Sequence, residues 1–301
     1  MPLSTSRIQL YGYLVLISSA IIWGAEGVLV KLCYDNGFSL LNLSITRYLL
    51  ALPLFALLAV LYKAPFLPPR ALLKPMLLLS VNVVAGVVFL YLALYLLPAA
   101  LAILFFYAYP SFTSILYRLM GRGPVGPLRV AALVISAAGL VLLYCSSLAG
   151  LAPWGVACAL LSAALQAGKL YQTAALLEQV KVWTLNFFTA LFTLISFSLF
   201  GLFYGAFGHG GVWAVDIIMP AGWIYALILG LVVTVFGNLF MNLGVGWLGA
   251  VDTSLVLLLE PPTTAVLAFI VFGDLLNTWQ MTGGILILAA VALPAVANLR
   301  K

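Results

Sequence analysis

The sequence predicts an all-α integral membrane protein with ten transmembrane helices arranged as two inverted five-helix repeats. Of its 301 residues, 65% are hydrophobic and only 7% are charged, which is too little charge to cover a globular surface in water. Strands of a membrane β-barrel alternate polar and apolar residues, whereas runs such as 77–79 and 255–259 are apolar throughout. In addition, the amino-acid sequence of the second half of the chain weakly matches that of the first half.

The helices follow from the length of the apolar segments, since about 20 residues cross a hydrocarbon core of about 30 Å. The predicted spans cover residues 11–32, 43–62, 73–96, 99–119, 129–145, 153–174, 184–206, 220–243, 251–272 and 280–299. The residues before the first span are few and polar, and this span is long enough to cross a bilayer. We therefore expect no cleavable signal peptide and almost no soluble domain.

The repeat appears at a shift of 151 residues, which aligns 91–110 with 242–261. We therefore divide the chain into a first five-helix repeat, 1–150, and a second, 151–301. Because five is odd, the second repeat must enter the membrane from the opposite side. Inverted repeats are typical of secondary transporters, in which two halves rock about a central site.

The basic residues predict the orientation, since short loops rich in Lys and Arg stay in the cytoplasm. The even-numbered loops and the C-terminus carry most of them, namely Lys63, Arg70, Lys74, Arg118, Arg122, Arg129, Lys181, Arg300 and Lys301, while Asp35, Asp216 and Asp274 lie on the other side. Lys31 and Arg47 run against this bias. We predict a multi-pass protein of the inner (plasma) membrane with both termini cytoplasmic. The pI of about 9.3 then reflects topology, and no nucleic-acid partner is needed.

Several short motifs resemble those of a known family. Trp23-Gly24 with Lys31 is similar to its opening signature, and Leu259-Glu260-Pro261, Phe272-Gly273-Asp274 and Gly283–Ile287 are similar to its ending. The chain thus resembles EamA-type members of the drug/metabolite transporter superfamily, and most closely the YddG-type bacterial exporters of aromatic amino acids. The resemblance implies ten helices in two inverted repeats that move small metabolites. The chain departs from the pattern at Glu26, where a smaller polar residue is usual, and at Asp274, which replaces a Glu.

Ionisable residues inside the spans are candidates for a substrate site, because a charge at the bilayer centre costs about 2.5–3.5 kcal/mol. Glu260 lies near the midplane, where Pro261 and Pro262 interrupt the helix ladder. It either binds an ammonium group or a coupling proton, or it is a structural carboxyl that braces a kink. Lys169 shares one helix face with Ser162, Gln166 and Thr173, and it either binds a substrate carboxylate or snorkels to the interface.

Other polar and aromatic side chains lie at helical spacing. Asn238 and Asn242 are spaced by four, as are Tyr91 and Tyr95 at the repeat-related position. Such groups either bind substrate or join neighbouring helices by hydrogen bonds. Tyr109 aligns with Glu260 in the repeat and is placed to stack on an aromatic substrate. Trp23 and Glu26 share a face suited to a cavity mouth, although a structural hydrogen bond is the alternative for Glu26. No Glu26–Lys169 salt bridge is predicted, because the two residues differ in depth.

These residues together predict a secondary transporter that exports small amphipathic metabolites, most plausibly aromatic or other apolar amino acids, by alternating access. The predicted substrate-binding residues are Trp23, Glu26, Tyr91, Tyr95, Tyr109, Gln166, Lys169, Asn238, Asn242 and Glu260. The expected partners are a small-molecule substrate and the lipid bilayer, with proton coupling as one option.

Other functions remain as alternatives to be tested against the export of amino acids. A carrier of another metabolite or of a cationic drug would share the same fold. A membrane enzyme needs an activated nucleophile, a metal cluster or an acid–base pair, and a channel needs rings of like polar groups. The sequence predicts neither, and it predicts no cofactor and no metal site. Cys33, Cys145 and Cys158 are expected to pack as apolar side chains, with one disulfide among them as the alternative, and His209 is expected to lie in an outer loop.

Overall fold

The computed structural model describes residues 5–144, 152–206, 219–273 and 277–299, and every regular element in these residues is helical. The helices are α1 (Thr5–Asp35), α2 (Leu40–Leu61), α3 (Arg70–Leu96), α4 (Ala99–Phe106), α5 (Tyr109–Leu119), α6 (Pro127–Tyr144), α7 (Pro153–Leu177), α8 (Val182–Ala206), α9 (Pro220–Leu227), α10 (Asn238–Val256), α11 (Glu260–Phe272) and α12 (Thr278–Leu299). Cys145, His209, Asp216, Asp274, Arg300 and Lys301, on which predictions were made, lie outside the described residues.

Eight helical segments of the described chain are long and apolar enough to cross a membrane. One of them, Pro220–Phe272, has 53 residues. At 1.5 Å per residue a straight helix of this length would span about 80 Å, far more than a hydrocarbon core of about 30 Å. Gly249, with φ 81° and ψ 171°, interrupts the helix within this segment. α7 is not among the eight, because polar residues such as Gln166 and Lys169 lower its hydropathy. Length and composition alone therefore do not reproduce the predicted count of ten.

The predicted span 99–119 is not one helix. It consists of α4 and α5, which are separated by Tyr107 and Ala108. Pro110 lies in the first turn of α5. Backbone N–H groups of a first turn have no partner within the helix, so the amide hydrogen that proline lacks costs no helical hydrogen bond. The second half has a matching break, since a 3₁₀ turn (Leu257–Leu259) precedes α11. There the Glu260 N–H donates to the Leu257 carbonyl. The next residue, Pro261, has no N–H group and cannot donate a backbone hydrogen bond. Both helices are thus interrupted at positions 151 residues apart.

The predicted span 220–243 is also irregular. Between α9 and α10 the backbone forms a π-helix over Ile228–Gly237, a rare conformation that is frequent at functional sites. Its Thr234 hydroxyl donates to the Leu229 carbonyl, five residues earlier, at 2.9 Å. Gly230 lets this segment approach α2 closely, because a Cβ atom there would lie 3.2 Å from the Arg47 carbonyl oxygen. The wide turn therefore brings Thr234 next to α2.

The two halves of the chain interlock. α1 packs on α10 of the second half, and α3 packs in the same way on α7, which are equivalent contacts under the shift of 151 residues. α2 packs on α8, and α6 packs on α12. In each of these two contacts a helix of the first half meets the helix that corresponds to it in the second half at the shift of 151 residues. An interface in which an element meets its counterpart is what a two-fold axis relating the halves would produce.

The α6–α12 contact depends on small residues. A Cβ atom on Gly139 would lie 2.7 Å from the Gly283 carbonyl oxygen, and one on Gly283 would lie 2.5 Å from the Gly139 carbonyl oxygen. The two backbones therefore touch directly, with Ser136 and Ile287 buried one turn away. Close approach of this kind is how helices associate in lipid, where no hydrophobic force drives them together.

Two basic turns contact each other, and a third basic residue forms an ion pair. The Lys181 ammonium donates to the carbonyls of Tyr62 at 3.3 Å and Lys63 at 3.1 Å, which joins the turn before α8 to the turn after α2. Arg129 at the start of α6 forms two bonds of 2.7 Å with Asp252, whose backbone lies just after the break at Gly249. Hydrogen bonds thus join two of the basic turns, those that carry Lys63 and Lys181, while the Arg129 ion pair joins α6 to α10.

We expect Gly283→Ala to lower the stability of the protein, because its methyl group would meet the Gly139 backbone and overpacking costs about 1–3 kcal/mol. Gly284→Ala is the matched control. Its added Cβ atom would meet only the Pro262 Cβ atom at 3.7 Å, and alanine is the better helix former by about 1 kcal/mol. Thermal unfolding in detergent should give a lower midpoint for the first variant and an unchanged or higher one for the second. Equal midpoints would show that α6 and α12 do not approach this closely.

Candidate functional site

A cavity of about 230 Å³ lies between the two halves, where α1, α2, α3, α7, α8 and α10 meet. Tyr109, the first residue of α5, and Glu260, the first residue of α11, also line it. Both broken helices therefore begin again at the cavity wall. The wall combines apolar side chains with charged, amide and hydroxyl groups, which is the usual composition of a small-molecule site.

Nine of the ten predicted substrate-binding residues line this cavity, namely Trp23, Glu26, Tyr91, Tyr109, Gln166, Lys169, Asn238, Asn242 and Glu260. Ser162 and Thr173 line it too, so the whole polar face of α7 points into the cavity. Lys169 thus lies on the cavity wall. The structure brings these side chains together, and their contact with a substrate stays a prediction.

Tyr95 does not line the cavity, so the structure does not bring it together with the other nine residues, and its contact with a substrate stays a prediction. It lies in the last turn of α3, and 76% of its surface is exposed. Tyr91 does line the cavity, but Tyr95 is one turn, or about 6 Å, further along the helix. Two residues spaced by four lie on the same face of a helix, but they lie at different positions along the helix axis. Tyr91 therefore reaches the cavity and Tyr95 does not.

Glu26 and Arg47 form an ion pair across the cavity wall. The Arg47 Nη1 atom lies 2.5 Å from the Glu26 Oε1 atom, and Arg47 Nε donates to the Thr234 hydroxyl at 3.0 Å. The Arg47 side chain is only 12% exposed, against 33% for Glu26. One guanidinium thus ties α2 to α1 and to the π-helical segment of the second half. A buried charge needs partners of this kind to offset its loss of hydration.

Sequence reasoning missed Arg47 as a member of the site. The only sign in the sequence was that Arg47 does not lie on the side of the membrane predicted to carry most basic residues. Such an exception indicates a basic residue that is held inside the protein. The sequence also gave no direct sign that Glu26 would pair with it, because the partners are on different helices. The Glu26–Lys169 salt bridge, which was not predicted, is also absent from the ion pairs of the described residues.

Lys169 presents a positive charge to the cavity without a carboxylate partner. Its Nζ atom lies 5.3 Å from the centre of the Trp23 ring, over the face of the indole. No carboxylate oxygen lies within 4.0 Å of it in the described part of the chain. A cation over an aromatic face is stabilised by about 0.5–2 kcal/mol, less than a buried ion pair with good geometry can provide. The ammonium group is therefore available to an anionic ligand.

Glu260 lies among tyrosines at the start of α11. The Tyr107 side chain is hydrogen-bonded to its carboxyl group, and Tyr109 lies close to it as well. No Lys or Arg nitrogen lies within 4.0 Å of this carboxyl group among the residues described. The position also suits an anion, since a helix N-terminus carries a partial positive charge. Tyr109 itself is only 2% exposed, so it offers little ring surface to a ligand.

Amide groups on the wall have unused hydrogen-bonding capacity. Asn242 Nδ2 donates to Asn186 Oδ1 at 2.9 Å, and Asn82 Nδ2 donates to Gln172 Oε1 at 3.1 Å. The Oδ1 atoms of Asn82 and Asn242 and the Nε1–H group of Trp23 are buried and have no protein partner in the described residues. Buried polar groups are rarely left unpaired. They are suited to a polar ligand or to water.

The motifs that suggested the family contact one another. The Thr264 hydroxyl donates to the Gly24 carbonyl at 2.9 Å, and Gly24 faces Thr263, so α1 and α11 touch. Further along, the Lys31 Nζ atom lies 4.0 Å from the centre of the Phe272 ring. Glu260 is thereby fixed against the same part of α1 that carries Trp23 and Glu26. The opening and closing motifs thus hold the cavity wall together.

The comparisons with known proteins agree with this architecture. Residues 10–145 and 153–295 each match the EamA-like transporter family, so two copies of its domain cover nearly the whole chain. A crystal structure of a protein superposes on 99% of this chain, and on 99% of its own, with a TM-score of 0.78 and 17% sequence identity. At this identity the likeness shows the fold alone. No match was found among curated proteins.

We expect a double-mutant cycle on Glu26 and Arg47 to show strong coupling. Glu26→Ala leaves the Arg47 charge largely buried without its carboxylate, so it should lower stability more in the parent protein than in the Arg47→Ala background. The coupling should fall in the range of about 0.5–3 kcal/mol found for contacting residues. Thermal or denaturant unfolding in detergent measures it. Glu178→Ala, at an exposed position, serves as the control and should not couple to Arg47→Ala.

Proposed function

The chain belongs to the EamA-like transporter family, and from that premise we propose that it exports small zwitterionic metabolites with an apolar side group by alternating access. Aromatic and other apolar amino acids are the proposed substrates. Members of this family are transporters, so the proposal assigns transport to the cavity and no catalytic step.

The observation that carries this proposal is the pair of unmatched charges in the cavity. Lys169 and Glu260 both line it, and neither has an oppositely charged partner within 4.0 Å in the part of the chain described. An amino acid carries one carboxylate and one ammonium group. We assign the carboxylate to Lys169 and the ammonium to Glu260, which would give both protein charges the partners they lack.

The remaining wall supports an apolar side group of limited size. Trp23 and Phe106 provide aromatic surface, and Leu79, Val83 and Val87 provide aliphatic surface from α3. The volume of about 230 Å³ lies below the roughly 300–1,000 Å³ typical of drug-sized ligands. A single amino acid suits this space better than a larger cationic drug.

Charge balance also favours a zwitterion over a cation. Glu26 and Glu260 are acidic, and Arg47 and Lys169 are basic, so the ionisable groups of the wall sum to zero when all are charged. A lone organic cation would enter a low-dielectric site that has no net negative charge to compensate it. A zwitterion is neutral overall, so it adds no net charge to the cavity. It needs only one positive and one negative group of the wall, at separate positions.

Glu260 is the proposed carrier of a coupling proton. It is the one carboxyl group of the described cavity wall without an ion-pair partner, while Glu26 is held by Arg47. A carboxyl group that binds either a proton or the substrate ammonium would couple the two movements, as acidic residues do in many membrane transporters.

We propose that the chain crosses the inner membrane ten times with both termini in the cytoplasm. The segment Pro220–Phe272 would cross twice, turning at Gly249, and α7 would cross once with its polar face toward the cavity. The two halves, 1–150 and 151–301, would then be inverted repeats. The cluster of basic turns around Lys63 and Lys181 would face the cytoplasm.

Single cysteines at exposed turns test this orientation. In a background without the native cysteines, Lys63→Cys, Arg122→Cys and Gln179→Cys should react with a membrane-impermeant thiol reagent in inverted vesicles but not in intact cells. Asp35→Cys and Asn277→Cys, which are exposed, should show the opposite pattern. Labelling of either set from both sides, or in the reverse sense, would contradict the proposed orientation.

Transport measurements test the two charges directly. In proteoliposomes, Lys169→Met and Glu260→Gln should each slow the transport of radiolabelled phenylalanine by about ten- to a hundredfold, the effect of losing a charged hydrogen bond. Lys74→Met, at an exposed position on α3, is the matched control and should transport normally. Normal transport in both cavity variants would remove this site.

Competition by analogues that lack one charge separates the two roles. Phenethylamine has no carboxylate, so Lys169→Met should bind it as well as the parent does. N-acetylphenylalanine has no ammonium group, so Glu260→Gln should bind it as well as the parent does. Wild-type protein that binds both analogues as tightly as phenylalanine would contradict recognition of a zwitterion.

A further inference from the structure

A second cavity of about 430 Å³ lies beside the first, between α10 and the turn from α7 to α8. We call it the groove. Leu177, Glu178 and Lys181 line one side, and Gly246 and Trp247 line the other. One residue, Asn242, lines both the groove and the central cavity.

The residues of α10 form a continuous line from the central cavity into the groove. Asn238 lines the first, Asn242 lines both, and Gly246 lines the second. Each step is four residues, so the three positions lie on one face of the helix at intervals of about 6 Å. A solute moving along this face would pass from one cavity to the other at Asn242.

A pair of amides separates the two cavities. Asn242 Nδ2 donates to Asn186 Oδ1 at 2.9 Å, and both side chains are buried. Asn186 lines the central cavity from α8, and its own Nδ2 atom donates to the Val182 carbonyl at 2.9 Å. The Oδ1 atom of Asn242 is buried and has no partner in the described residues. One side-chain hydrogen bond between α8 and α10 therefore lies where the two cavities adjoin, with an acceptor left unused.

Gly246 keeps the groove open beyond that pair. It is exposed, and the nearest atom to a Cβ added there is Leu177 Cδ1 at 3.5 Å, which is an ordinary contact. A larger side chain would fill the space between α10 and Leu177. Trp247 beside it is 44% exposed, and Glu178 and Lys181 lie at the mouth. The groove thus combines an indole with both signs of charge, as the central cavity does.

We propose that the groove is the path by which a zwitterionic, apolar substrate passes between the central cavity and the membrane face that carries Glu178 and Lys181. The Asn186–Asn242 pair closes the inner end of this path in the present conformation. This assignment rests on the proposed function, since it takes the central cavity to hold a transported solute.

Thiol accessibility tests the path without any substrate. In a background with Cys33, Cys145 and Cys158 replaced by serine, Gln166→Cys places one thiol on the central cavity wall. A charged, impermeant methanethiosulfonate is applied to the groove face. Adding Asn242→Ala should raise the reaction rate about tenfold, as expected for loss of a buried hydrogen bond that holds the path shut. Adding Gly246→Phe as well should return the rate to that of the parent.

Ser196→Ala is the matched control, because Ser196 lies on the same helix as Asn186, lines neither cavity and donates to the Phe192 carbonyl of its own helix. It should leave the rate from the groove face unchanged. A rate that does not rise with Asn242→Ala, or that stays high after Gly246→Phe, overturns the proposal. These outcomes do not depend on whether the protein carries amino acids.

A transport measurement provides a second, independent result. Gly246→Phe should reduce phenylalanine transport at least tenfold while leaving its equilibrium binding in detergent within about twofold, because the central cavity is untouched. Gly126→Phe, at a position with no atom within 4 Å of an added Cβ, is the control. Normal transport by Gly246→Phe overturns the path. Absence of transport and binding in the wild type overturns the proposed function instead.

Discussion

The constraint on which the structure depends is the cost of placing charge inside a membrane. Four ionisable side chains lie within the apolar helices that surround the cavity: Glu26, Arg47, Lys169 and Glu260. In hydrocarbon each would cost several kcal/mol, so the helices must turn these residues toward partners or water. All four face one cavity, and helices from both halves of the chain are needed to surround it. The packing of the helices around the cavity is thus consistent with the need to enclose these few groups.

The same reasoning applies to the backbone. A helix can be interrupted within a bilayer only where the freed backbone groups are buried in protein or line a cavity. The break before α5, the 3₁₀ turn before α11 and the π-helix before α10 all adjoin the cavity. Each break puts the next residue, Tyr109, Glu260 or Asn238, on the cavity wall. The irregular backbone and the chemically distinctive side chains are therefore parts of one arrangement.

Much of this arrangement could be predicted from the sequence. The spans predicted at 43–62 and 73–96 differ from α2 and α3 by at most three residues at either end, because hydropathy sets helix length directly. The spacing of polar residues predicted one polar face on α7 but left open whether Lys169 lies on a cavity wall, where the structure places it. The sequence did not reveal the role of Arg47 or Asn186, since periodicity gives the face and depth of a side chain but not the helix opposite it. The π-helix was not predicted either, because its width depends on contacts with α1 and α2.

The position of Tyr95 outside the cavity can be understood when the two halves of the chain are compared. At a shift of 151 residues, Tyr91 corresponds to Asn242 and Tyr95 to Gly246. In the second half the line along the helix leads from the cavity, past Asn242, to the groove at Gly246. In the first half the equivalent line leads from Tyr91, on the cavity wall, to the exposed Tyr95. If the repeats are inverted, Tyr95 marks the counterpart of the groove on the opposite face of the membrane. There a tyrosine ring would take the place of a glycine, so the proposed path through the groove and its counterpart would differ in width although the backbone that forms them is repeated.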